Sequence, residues 1–129
     1  MNDIKWVLLV EDDDQLADLT KEMLEYEGLV IKTARNGKEA TDLMLSAQSL
    51  PALVITDFMM PVMNGGELIQ KIKQDLELSN VPMILLSGSF LTEKQSMGVP
   101  IISKPLDIRV LRLKITELVP VLYEQSRAS

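Results

Sequence analysis

The 129-residue chain contains no cysteine and no histidine. Without cysteine there is no disulfide, no thiolate nucleophile and no sulfur-ligated metal. Without histidine the chain carries no phosphohistidine of its own, no Ser-His triad and no histidine-ligated zinc. Any metal must be held by oxygen, which points to a hard cation such as Mg²⁺ or Ca²⁺. Positive charge is also short, since 13 Lys and Arg face 19 Asp and Glu, a net charge of −6. With no stripe of basic residues, that balance argues against direct binding of nucleic acid. Long apolar runs are missing as well. The run Trp6–Val10 is closed by Glu11, Asp12, Asp13 and Asp14, and is too short and wrongly flanked for a signal peptide or a membrane span. A cytoplasmic location is therefore expected.

Hydrophobic residues make up 47% of the chain, enough for a buried core. The length suits one domain, taken as 1–129, and no Pro/Gly/Ser-rich linker divides it. Five short apolar runs read as strands: Trp6–Val10, Leu29–Thr33, Leu53–Thr56, Val81–Leu86 and Val99–Ile102. Their near-continuous apolar character suits a parallel sheet covered on both faces. Helical patterns lie between them. Leu16, Leu19, Met23 and Tyr26 form one stripe, stopped by Gly28. Asn36 caps a second helix carrying Ala40, Leu43, Met44 and Ala47. Asn64-Gly65-Gly66 opens a third with Leu68, Ile69, Ile72 and Leu76. A last helix begins near Leu106, buries Ile108, Leu111, Ile115 and Leu118, and ends at Pro120. This alternation predicts a three-layer α/β domain.

In such sheets the working residues gather at the carboxyl ends of the strands, near the switch point. Glu11, Asp12 and Asp13 end the first strand, Asp57 the third and Ser87 the fourth, while Lys104 follows the fifth. Several carboxylates converging on one crevice repel each other unless a cation sits among them. Mg²⁺ is the natural choice for oxygen ligands beside phosphate. A carboxylate nucleophile, a divalent cation, a lysine and a hydroxyl are together the parts for phosphoryl transfer to aspartate. Each residue also has a plainer reading: Asp13 or Asp14 as a helix cap, Ser87 as structural, Lys104 as a solvated loop lysine.

These residues resemble the response-regulator receiver family of two-component signalling. The resemblance rests on Val7-Leu8-Leu9-Val10-Glu11-Asp12-Asp13, on Asp57-Phe58-Met59-Met60-Pro61-Val62-Met63-Asn64-Gly65, on Ile84-Leu85-Leu86-Ser87-Gly88 and on Lys104-Pro105. It implies a doubly wound, flavodoxin-like sheet of strand order 2-1-3-4-5. It implies Asp57 as phospho-acceptor, and Mg²⁺ held by Glu11, Asp12, Asp57 and the backbone carbonyl of Met59. Ser87 and Lys104 would contact the phosphoryl oxygens. The donor would be a phosphohistidine on a histidine kinase or phosphotransfer domain. The chain would promote only its own phosphorylation and dephosphorylation, and is not expected to be an enzyme. No output domain lies within the sequence, so output by contact with a downstream protein is expected, from either a stand-alone regulator or the receiver of a hybrid kinase.

Three features depart from the family. Ile101 stands where an aromatic switch residue is usual, so no ring rotates there; Phe90 could take part instead. Only 16 residues separate Ser87 from Lys104, which predicts a fourth helix of one or two turns, or a loop, around Thr92–Met97. Met59 and Ser89 flank the acceptor without offering a base, which predicts a long-lived phosphoryl group. Val110 and Leu113 lie off the buried stripe of the last helix and mark a partner or homodimer face.

Other classes fit less well. An aspartate-nucleophile phosphatase needs a second Asp where Met59 stands. A nucleotide or flavin site needs a phosphate-cradling loop where this chain has four acids, and neither GxGxxG nor GxxxxGK followed by Ser or Thr occurs. A degenerate receiver that only binds partners would have little use for the intact acid, serine and lysine set.

Overall fold

The computed structural model describes residues 4–127; the remaining terminal residues of the expected 1–129 domain lie outside the described residues. Strands and helices alternate as β1 (Trp6–Val10), α1 (Asp14–Tyr26), β2 (Val30–Ala34), α2 (Gly37–Ser46), β3 (Leu53–Asp57), α3 (Gly65–Gln74), β4 (Met83–Ser87), α4 (Glu93–Ser96), β5 (Ile101–Ser103), α5 (Ile108–Leu118) and α6 (Val121–Arg127). All strand pairings are parallel, in the order β2-β1-β3-β4-β5. The fold is the flavodoxin-like, three-layer sandwich expected.

Every residue of β1, β3 and β4 is buried. Alternate residues serve opposite faces, because the strand period is two. Leu8, Val10, Val54 and Leu85 face α2 and α3 through Ala40, Met44, Leu68, Ile69 and Ile72. Val7, Leu9, Leu53, Ile55 and Ile84 face α1, α5 and α6 through Leu24, Leu111, Ile115 and Leu122. Full burial of one such side chain contributes roughly 1.5–3 kcal/mol, so two dry faces hold the central strands rigid.

Several expectations shift. In α1 the buried residues are Ala17, Thr20 and Leu24, while Leu19 and Tyr26 are exposed. Small side chains let the helix lie close to the sheet, and the larger apolar residues are displaced to the flank. Leu76 is not part of α3 and is exposed. Asp75 Oδ1 accepts from Glu77 N and Leu78 N, which turns the chain out of the helix and sends Leu78 into the core instead. The edges of β2, β4 and β5 move one or two residues towards the C-terminus. Pro82 and Pro100 have no N–H for a ladder, and their carbonyls accept from Val54 and Leu85.

The fourth helix is one turn long, capped by Thr92 in a reciprocal box with Gln95 and closed by Met97 in the left-handed region. The shortened helix is as expected. The end of α5 at Leu118 also agrees, but Pro120 opens a further helix, α6, that was not anticipated. Proline suits a helix start, where its missing N–H costs nothing.

Candidate functional site

The sheet runs outward from β1 to β2 on one side and to β3 on the other, so a crevice opens above β1 and β3. Four consecutive acids at the end of β1 meet four different fates. Glu11 is anchored by its N–H to Ala34 O at 2.9 Å and is 5% exposed. Its Oε2 accepts the Asp13 N–H at 3.2 Å. Asp12 stays exposed at the crevice mouth. Asp13 caps α1 by accepting Leu16 N–H at 3.0 Å, the plain structural role, and Asp14 pairs with Arg35 at 3.0 Å.

Asp57 ends β3 and is 3% exposed. Lys104, delivered by the turn after β5 and held by its N–H to Ser87 O at 2.8 Å, brings Nζ to 2.8 Å from Asp57 Oδ1 and 3.6 Å from Glu11 Oε1. The contact to Asp57 is an ion pair, and the buried Oδ1 has no hydrogen-bond partner. Burial is the largest influence raising the Glu11 pKa, followed by the neighbouring Asp57 carboxylate; the Asp13 N–H and Lys104 offset only part of this. For Lys104, burial pulls the pKa down most strongly as a single effect. The attractions of the Asp57 and Glu11 carboxylates together exceed it and hold the ammonium above its ordinary value.

Carboxylate oxygens of Glu11, Asp12 and Asp57 lie within 4.8 Å of one another. Formally three negative charges face one lysine, a residual of −3 + 1 = −2. The donors are all hard oxygens, and one of them is buried without a hydrogen bond. This set fits a divalent cation such as Mg²⁺.

Ser87 reaches the same edge, yet its hydroxyl serves its own loop, donating to Ser89 O at 2.8 Å and accepting Ser89 N–H at 3.2 Å. Met59 stands two residues past Asp57 with its side chain 73% exposed, so the thioether is no part of the crevice. Phe90 is almost fully exposed, and Ile101, Val110 and Leu113 also present apolar surface. One neighbour of the acceptor was not anticipated. Thr56, fully buried, donates its hydroxyl to the carbonyl of Asp57 at 2.9 Å. Its signal was a lone hydroxyl in the otherwise apolar run before Asp57.

A doubly wound parallel sheet with a carboxylate crevice at its switch point defines a class that includes receivers. A family model described as the response regulator receiver domain matches residues 7–116, and the chain belongs to that family. It is a receiver domain of two-component signalling. It is similar to histidine kinase P4 of Formosa agariphila, 39% identical over 87% of this chain, and spans only 8% of that kinase's length. The receiver domain of a signal transduction histidine kinase from Syntrophus aciditrophicus superposes with a TM-score of 0.81 at 30% identity, covering 90% of each chain. Response regulator TrrA of Thermotoga maritima, solved in complex with Mg(2+)-BeF, gives 0.79 at 30% identity, covering 89% of this chain and 99% of that one. Among the described residues no helix is long and apolar enough to cross a membrane.

Proposed function

We propose that this domain accepts a phosphoryl group on Asp57 from a phosphohistidine of a histidine kinase or phosphotransfer partner. One observation carries the reading: a buried aspartate with an oxygen lacking any hydrogen bond, 2.8 Å from a lysine and crowded by Glu11 and Asp12. A structural aspartate would be satisfied by its neighbours. The similarity to a receiver solved with Mg(2+)-BeF supports the same reading.

Glu11, Asp12, Asp57 and the Met59 carbonyl would hold Mg²⁺, which when bound offsets charge on the transferred oxygens. A carboxylate oxygen of Asp57 attacks phosphorus in line. The bond from phosphorus to the donor imidazole nitrogen breaks, and its electron pair stays on that nitrogen. Lys104 holds a phosphoryl oxygen by charge. The Ser87 hydroxyl exchanges its bond to Ser89 O for another phosphoryl oxygen, drawing the β4–α4 loop inward. With Ile101 in β5, that loop carries the change outward, to a downstream protein or a second copy meeting Val110 and Leu113. The domain works in the cytoplasm.

Intact-mass measurement after incubation with acetyl phosphate tests this, with and without Mg²⁺, on wild type and Asp57→Asn. A Mg²⁺-dependent gain of one phosphoryl group, absent from the variant, is expected. No gain in wild type, repeated with a phosphohistidine donor, would sink the proposal in favour of a domain that only binds partners.

A further inference from the structure

Phosphoryl transfer and cation binding both require the Asp57 carboxylate to be held where it is, and the strand ladder alone does not do this. Pairing of β1 with β3 stops at Val10–Thr56, one residue short of Asp57, whereas pairing of β3 with β4 continues to Asp57–Leu86. The acceptor therefore stands past the end of one neighbouring strand, which is what leaves room for the crevice. At that point a side chain takes over the work of the ladder. Thr56 Oγ1, completely buried, donates to Asp57 O at 2.9 Å.

The same carbonyl is walled in by the start of α3. A Cβ built on Gly65 would lie 2.4 Å from Asp57 O and 2.8 Å from Phe58 Cα, so only glycine fits there. Gly65 donates its N–H to Phe58 O at 2.7 Å, and Phe58 donates its own to Leu86 O at 3.0 Å. The Asn64–Glu67 capping box in turn fixes the start of α3. Two consecutive peptides, one on each side of Phe58, are thus constrained before the chain reaches Met59.

We propose that Thr56 is a positioning residue: its hydroxyl locks the Asp57–Phe58 peptide so that the Asp57 carboxylate and the Met59 carbonyl address one cation. The proposal rests on the phospho-acceptor reading above and extends it to a residue that touches neither phosphate nor metal. Partners of this kind, which orient a ligand without binding the ion, typically carry about 10–100-fold in metal affinity.

The test compares wild type, Thr56→Val and Thr56→Ser by Mg²⁺ titration calorimetry without any phosphodonor, together with the rate of mass gain from acetyl phosphate at saturating Mg²⁺. Thr56→Val is expected to lose about tenfold in Mg²⁺ affinity and to slow at saturating Mg²⁺, while Thr56→Ser stays close to wild type. Equal Mg²⁺ affinity in Thr56→Val and wild type would overturn the proposal, as would a serine variant that behaves like valine. Should Thr56→Val fail to fold, Thr56→Ala decides the question by the same two readouts. A wild type that binds Mg²⁺ but never gains mass would remove the functional reading, and the Mg²⁺ affinities would still decide the role of Thr56.

Discussion

Two clusters of charge sit at opposite ends of the sheet, and they are built on opposite plans. At the lower end, Glu27 after α1 receives Arg112 Nε from α5 at 2.6 Å and the Tyr123 hydroxyl from α6 at 3.1 Å. Nearby, Gln125 of α6 accepts the Lys5 N–H at 3.1 Å and donates to Lys5 O at 2.9 Å, tying α6 to the entry of β1. Charge and hydrogen bonds there close on themselves. At the upper end Glu11, Asp12 and Asp57 share one lysine and leave an oxygen without a hydrogen bond. A cluster that serves structure is satisfied. The upper cluster is left short of positive charge, an arrangement that attracts a cation.

Removing the lysine should separate the two ends most sharply. Lys104→Met is expected to slow phosphoryl uptake by about 100-fold, the usual cost of losing one fixed positive or donor group at a transferring centre. It should also destabilise the Mg²⁺-free fold, because two buried carboxylates then face each other alone. Mg²⁺ should restore more of its melting temperature than it adds to wild type, by binding the folded state only. A variant that labels normally would place Lys104 outside the chemistry.

Breaking the closed cluster should do the reverse. Glu27→Ala removes the carboxylate that accepts from the Tyr123 hydroxyl and pairs with Arg112, at a cost of about 1–3 kcal/mol in chemical unfolding. Phosphoryl uptake and Mg²⁺ affinity should stay as they are. A loss of uptake in the folded variant would mean that the two ends are coupled and the contrast is false.

Val62, in the loop between β3 and α3, has φ of 68°, a left-handed backbone that a β-branched residue resists, and Met63 N–H donates to Pro61 O across it at 2.7 Å. Relief of roughly 1–2 kcal/mol against an entropic loss of about 0.5–1 kcal/mol predicts that Val62→Gly is slightly more stable than wild type. An unchanged or lower unfolding midpoint would show that the surroundings do not strain this residue.

The smallest effect concerns alkaline pH. Burial, then the charge and hydrogen bond of Glu27, raise the Tyr123 pKa well above the ordinary phenol range. The unfolded chain therefore loses this proton first, and above about pH 10 it holds fewer protons than the folded chain. Stability contributed by Tyr123 is complete below that pH and falls as pH rises further. Tyr123→Phe should flatten the slope of unfolding free energy above pH 10, and an identical slope would mean that the phenol titrates alike in both states.

Much of this was legible in the sequence because it depends on short-range order. Alternating apolar runs gave five parallel strands, Asn36 and Asn64 announced two helix starts, and the 16-residue gap before Lys104 announced a fourth helix cut to one or two turns or to a loop. That Glu11, Asp12, Asp57, Ser87 and Lys104 share one edge was legible because each ends or follows a strand, and parallel strands bring those ends together. What failed depended on distances between elements. The stripe of α1 was misplaced because hydrophobicity favours Leu19 and Tyr26, whereas the spacing of helix and sheet selects Ala17 and Thr20. Pro120 was read as an end, and α6 was missed because its hold on the fold is Leu122 in a core formed by α1, α5 and the sheet.

The sequence by itself therefore determined which residues could do chemistry and at which edge they meet, since composition removes every histidine and cysteine and strand order collects the rest. Only the tertiary structure decided how each is used. It turned Asp13 into a cap, bent Ser87 onto its own loop, left Asp57 Oδ1 without a hydrogen bond and set Thr56 beneath the acceptor carbonyl. Those outcomes depend on the backbone angles and side-chain directions that the packed sheet and its loops impose at each position, which a pattern of residue types alone does not fix.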